Sequence, residues 1–211
     1  MTAYRTAARI AEAELVVKKS RFIGRVAPAH SAEAAMAFVN IVKAAHYDAS
    51  HNVWAYALRE GQMRYSDEGE PQGTAGLPVL EALQKQGLAD CVIVVTRYFG
   101  GTLLGTGGLT RAYGQCASAA IEAAGIVTMA PCRVLRVACD YGFYGALQRL
   151  VEAHGGTVLD TAFAGDVTVT LRLRMEDADA FTAQLTEKSN GRVAAAHLRD
   201  EFAAMAAAGG L

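Results

Sequence analysis

The chain has 211 residues, 52% of them hydrophobic and 19% charged, so it can bury a sizeable core and is not a disordered segment. Lys+Arg 20 against Asp+Glu 21 leaves a formal net charge of -1, which excludes a global basic field drawing it to nucleic acid or membrane. Any nucleic-acid contact has to come from a local patch.

The opening stretch MTAYRTAARIAEAELVVKK scatters its charges and holds no apolar run, so no secretory signal is expected. Residues 9–28 read as strand material with a polar break at Lys18-Lys19-Ser20. Ser31 reads as the N-cap of a helix, with Ala34, Ala35, Phe38, Val39 and Val42 at helical spacing behind it. Asn52–Arg59 and Met63–Ser66 read as two strands joined at Glu60-Gly61, and the turn-rich, acidic segment 67–76 follows. Leu77–Gly87 reads as a short helix closed by its glycine. The β-branched run Cys91–Thr96 is typical of a strand buried on both faces. A glycine-rich loop then covers 100–108, and Leu109–Ala124 is a small-residue helix. No stretch of about 20 uncharged apolar residues exists, Glu122 interrupting the longest candidate, so no membrane partner is expected.

Pro131 marks the expected boundary, giving domains 1–131 and 132–211. Beyond it the pattern is strand 133–139, helix 144–154, strands 157–163 and 167–174 around a tight turn, helix 178–188 and strand 192–199. That β-α-β-β-α-β order is the ferredoxin-like arrangement. The first segment holds 12 basic and 11 acidic side chains and the second 8 and 10, so neither is a charged module. The four cysteines form no Cys-x-x-Cys pair and no zinc spacing, which fits a reducing compartment. Cys91 and Cys116 sit in apolar runs, and Cys132 and Cys139 read as facing opposite sides of one strand.

The glycine-rich segment carries the best chemical signal. It follows a buried strand and opens a helix, where glycines expose N–H groups and the helix N-terminus adds partial positive charge. Gly100, Gly101, Gly105, Gly107 and Gly108, with Arg97 and Arg111 supplying charged hydrogen bonds, are therefore candidates for an anion or phosphate site. The segment is neither a Walker A loop nor Gly-x-Gly-x-x-Gly, and close strand-to-helix packing explains the glycines equally well. Asp67, Glu68 and Glu70 could hold a divalent cation, but a solvated turn is the commoner use of such a segment, and no metal is assigned. His51 could act as a general base, although no nucleophile motif accompanies it and capping a strand end is commoner. Trp54, Tyr56, Tyr98 and Phe99 could stack on bases, against the more usual core packing.

Four blocks in order carry a resemblance: Lys19-Ser20-Arg21-Phe22-Ile23-Gly24; His51-Asn52-Val53-Trp54-Ala55-Tyr56; Ser66-Asp67-Glu68-Gly69-Glu70-Pro71-x-Gly73-Thr74-Ala75-Gly76; and Thr96-Arg97-Tyr98-Phe99-Gly100-Gly101-x-x-Leu104-Gly105-x-Gly107-Gly108-Leu109-x-Arg111-Ala112-Tyr113. Together they resemble the IMPACT/YigZ family over roughly residues 15 to 125, and the remainder resembles the small C-terminal domain of the bacterial YigZ-like branch. The resemblance implies an α+β first domain of the kind shared with a ribosomal-protein domain, followed by the ferredoxin-like one. It marks Arg21, His51, Asn52, Trp54, Tyr56, Asp67, Glu70, Gly73, Thr74, Ala75, Gly76, Tyr98 and Phe99 as family-motif positions. It implies no catalytic set and no cofactor. Eukaryotic relatives regulate translation, and the extra N-terminal domain they carry is not expected here. The leading expectation is a non-enzymatic, cytoplasmic regulator contacting the ribosome, RNA or a translation-associated protein through the glycine loop. The alternative is an enzyme for a small phosphorylated or acyl metabolite between the acidic and glycine loops, with His51 as acid/base and an optional metal at Asp67 and Glu70.

Overall fold

Alternating apolar residues in Ala11–Val17 and a strand buried on both faces in Ser20–Pro28 make a tight hairpin, with Lys18 (φ 44°) and Lys19 (φ 70°) as its two-residue turn. The computed structural model describes residues 1–204. In chain order these form β1 (Tyr4–Ala7), β2 (Ala11–Val17), β3 (Ser20–Pro28), α1 (Ala32–Ala45), β4 (His51–Ala57), β5 (Met63–Ser66), α2 (Gly76–Lys85), β6 (Cys91–Tyr98), α3 (Thr106–Ala124) and β7 (Ile126–Cys139). They continue with α4 (Tyr141–Ala153), β8 (Thr157–Phe163), β9 (Val167–Arg174), α5 (Met175–Lys188) and β10 (Ala195–Ala204). Two units result: Tyr4–Thr128, and a second that begins at Met129 and takes in Met1–Ala3.

In the first unit five strands run β2-β3-β6-β4-β5, each pair antiparallel. β6 is central, and its apolar run is buried on both faces as its composition demands. Ile93 and Val95 join Phe22, Val53, Leu83, Tyr113 and Ile121 in the core beneath α2 and α3. Val92 and Val94 join Tyr56, Val39 and Val42 beneath α1. Ser31 caps α1, its Oγ accepting from the Ala34 amide at 3.2 Å. A Cβ on Gly24 would lie 2.9 Å from the Cys116 carbonyl oxygen, so the missing side chain lets α3 press onto β3.

The second unit is α+β in the expected β-α-β-β-α-β order, its strands running β10-β7-β9-β8 with all neighbours antiparallel. Val167, Val169, Leu171 and Leu173 alternate along β9 and pack with Leu147, Phe181 and Leu185 of α4 and α5. Several sequence expectations need correction. α3 starts at Thr106, so Gly107 and Gly108 form its first turn rather than the end of a loop. β10 covers 195–204 instead of 192–199, because a bulge between His197 and Arg199 breaks its alternation. Pro131 lies inside the long strand β7, whereas the two units part between Thr128 and Met129. β1, a short strand without alternation, was not expected; the Thr6 hydroxyl ties it to the Asp90 carbonyl at 3.0 Å. Among the described residues no helix is long and apolar enough to cross a membrane.

Candidate functional site

Cross-strand register brings Phe22, Arg97 and His51 side by side on β3, β6 and β4. The segment between β5 and α2 lays Glu70 over this row, and the inward face of α3 adds Tyr113. Arg97 donates from Nη1 to Glu70 Oε1 at 2.6 Å, and the Tyr113 hydroxyl donates to the same oxygen at 2.7 Å. Arg97 is 5% exposed, Glu70 8% and Tyr113 0%. In so dry a setting the pair attracts strongly, and losing one partner would strand the other charge. His51 Nε2 lies 3.8 Å from the same Glu70 oxygen, while its Nδ1 meets the Glu68 carbonyl at 2.9 Å. Burial, then the Glu70 charge, pushes the Tyr113 phenol far up, so it stays a proton donor. The guanidinium carbon of Arg97 sits 5.5 Å from the ring centres of both Phe22 and Phe99. Its Nη2 reaches Ser20 Oγ at 3.4 Å, and its Nε has no hydrogen-bond partner among the described residues.

The acidic segment is not a solvated turn, because its three carboxylates have protein partners. Asp67 accepts from the amides of Gly73 (2.8 Å), Ala75 (3.1 Å) and Gly76 (2.8 Å), closing the loop and capping the start of α2. Glu68 meets Lys43 Nζ at 2.7 Å and accepts from Trp54 Nε1 (2.9 Å) and Ser66 Oγ (3.0 Å). Burial pushes Glu68 up, but those hydrogen bonds outweigh it and hold the carboxyl below its ordinary value. Glu70 is committed to Arg97, so the three carboxylates point to three different partners. The remaining motif positions serve the same fold: Thr74 Oγ1 donates to the Pro71 carbonyl at 2.6 Å. A Cβ on Gly76 would collide with Tyr65 and Ser66.

The candidate anion residues separate. Arg97 is corrected from an anion contact to an internal partner of Glu70. Arg111 is exposed on α3, in a groove that it lines with Glu81 and Lys85 of α2. Trp54 and Tyr56 do stack, 5.9 Å apart and 6° from parallel, but under α1, with Tyr56 1% exposed, so they offer no platform for bases. The Tyr98 hydroxyl is held by His46 Nδ1 (2.8 Å) and Asp48 (3.0 Å), and Arg25 contacts the other His46 ring nitrogen. Asn52 bridges the His46 carbonyl (3.1 Å) and the Thr96 hydroxyl (2.8 Å), and Arg21 pairs with Glu14 at 2.8 Å.

What remains open is a rim. A Cβ on Gly100 would lie 2.0 Å from the Lys19 carbonyl carbon, so the loop after β6 rests directly on the β2–β3 turn. Ser20 Oγ accepts from the Gly100 amide at 3.2 Å and fixes that contact. Exposed Lys18 and Lys19 therefore stand beside the loop that carries Phe99 (50% exposed) and Leu103 (84% exposed). Gly101 (φ 79°) and Gly105 (φ 73°) turn the chain into α3, whose first turn has no side-chain cap and no acidic residue. Lys18, Lys19, Ser20 and Tyr113 were absent from the candidate site residues. The apolar spacing of Leu109, Ala112, Tyr113 and Cys116 was the available signal that Tyr113 faces inward.

Fold and site define a two-unit α+β protein whose first unit is organised around a buried polar hub with an exposed basic and aromatic rim. Residues 18–121 match the Impact N-terminal domain, and residues 137–192 match a domain of unknown function (DUF1949). The chain is 35% identical to the IMPACT family member YvyE of Bacillus subtilis, over 90% of this chain and 88% of that protein. It is 38% identical to an IMPACT family member of Haemophilus influenzae, over 84% and 88%. Escherichia coli YigZ is 35% identical, over 83% and 88%. A crystal structure described as that of a hypothetical protein superposes with a TM-score of 0.63 at 32% identity, covering 94% of this chain and 98% of its own. This chain belongs to the IMPACT family.

Proposed function

We propose that the chain is a non-enzymatic, cytoplasmic regulator of translation that contacts ribosomal RNA through the rim of its first unit. The observation that carries this reading is the seating of Gly100 on the Lys19 backbone. It places two exposed lysines beside the loop that carries exposed Phe99 and leads on into α3, whose N-terminus has no side-chain cap. Lysines meet phosphate as point charges, the helix terminus offers N–H groups, and Phe99 has a face on which a base can stack. Co-sedimentation with ribosomes at two salt concentrations tests it. Salt-sensitive binding weakened by Lys18→Ala/Lys19→Ala is the expected result. Equal pelleting of native and variant chains would contradict it.

A second reading, an enzyme acting on a small phosphorylated or acyl metabolite, has one supporting observation. His51, Glu70, Arg97 and Tyr113 converge from four segments of the first unit. Against it, Glu70 Oε1 already accepts from Arg97 and Tyr113, and His51 is tied to a backbone carbonyl. A thermal-shift panel of metabolites separates the two readings. A ligand at about 100 times its Kd adds roughly 2.7 kcal/mol, which moves Tm by several degrees.

A further inference from the structure

The sheet of the second unit has a face turned away from α4 and α5, and its chemistry is not that of the hub or the rim. Strand alternation sends Thr168, Thr170, Arg172 and Arg174 of β9 to that face while the four apolar residues between them enter the core. Register adds Arg136 of β7 opposite Thr170, and Arg199 of β10 opposite Val134, which in turn pairs with Arg172. Buried Val134 thus has an arginine on each neighbouring strand, an arrangement that lets long aliphatic stems cover it and leave the charged heads outside. Strands lie about 4.8 Å apart and same-face residues about 6.8 Å apart along a strand, so these four guanidiniums share one compact area.

Their compensation is incomplete. Glu201 serves both Arg172 (3.4 Å) and Arg199 (2.8 Å). Arg174 meets Glu176 at 3.4 Å, a pair 47% and 74% exposed and hence weak. Arg136 is exposed and has no partner among the described residues. Asp160 of β8 is the other carboxylate on the face, opposite Thr170 on the far side from Arg136. A sheet face with arginine as its cation and threonine hydroxyls between suits a polyanion bound along its backbone, because guanidinium forks match phosphate oxygens.

We infer that this arginine face of the second unit binds the phosphate backbone of single-stranded RNA. The choice of RNA rests on the proposed role in translation, and the surface itself is independent of the rim. The test is fluorescence anisotropy of a labelled oligouridine titrated with the full chain between about 50 and 200 mM salt. Each single-strand phosphate contact contributes a slope of roughly 0.7 in log affinity against log salt, so Arg136→Gln/Arg174→Gln should lower it by about 1.4. Arg136→Lys/Arg174→Lys, which keeps the charge, should retain most of the slope. An unchanged slope in the glutamine variant, equal losses in both variants, or no binding by the native chain at low salt would overturn the inference. If Lys18→Ala/Lys19→Ala alone loses slope, the arginine face is refuted and the rim stands. If only the arginine variant loses slope, the arginine face stands and the rim is refuted.

Discussion

Glu70 accepts two hydrogen bonds on one oxygen, and neutralising this acceptor differs in kind from removing one donor. Glu70→Gln leaves a buried guanidinium without a counter-charge and should cost about 3–5 kcal/mol in urea unfolding, whereas Tyr113→Phe should cost about 1–3 kcal/mol. Replacing both charges together, as Glu70→Leu/Arg97→Met, should cost less than the sum of the single changes, since no charge is then left alone. Glu68 gives a pH signature. Its folded pKa lies below the ordinary 4.5, so its contribution is complete above that pH and is lost as pH falls below it. Trp54 is the only tryptophan and donates to Glu68, so its fluorescence reports this loss directly. The emission change below pH 4.5 should vanish in Glu68→Gln.

At the scale of elements, two glycines in one segment should respond with opposite signs. Gly100→Ala drives a Cβ into the Lys19 backbone and should cost 3 kcal/mol or more, roughly the upper end for overpacking. Gly107 has open space and lies in the first turn of α3, so Gly107→Ala should stabilise by about 0.5–1 kcal/mol, measured by the same denaturant titration. The contrast shows what was legible in the sequence. β6, the α1 cap and the β-α-β-β-α-β order were readable because each is written in a local period or a single capping residue. The start of α3 was hidden, since glycines carry no apolar period. The hub was hidden more deeply: Arg97 and Tyr113 lie 27 and 43 positions from Glu70, and only the sheet register and the packing of α3 bring them together. The family blocks flagged Arg97 and Glu70 as important without indicating that they bond to each other.

Across the whole molecule, apolar cores form separately in the two units, so stability need not be shared evenly between them. Glu70→Gln should lower hydrogen-exchange protection of β6 amides while leaving β9 amides of the second unit near their native values. Equal losses in both strands would mean that the units unfold as one. Independent unfolding also bears on the two proposed contact surfaces, because the rim and the arginine face then belong to structures of different local stability.

All four cysteines are free and buried, Cys91 and Cys116 in the first unit, Cys132 and Cys139 in the second. Burial, ahead of any neighbouring charge, pushes the Cys91 and Cys116 thiols up to about 12 and raises the other two as well. None is then poised to react while the fold is closed, because the nucleophile is the thiolate. Alkylation by a small electrophile must wait for each unit to open, so labelling of each pair is a clock for that unit. Mass spectrometry of the tagged peptides would time the two openings in a single reaction, with no probe introduced into the chain.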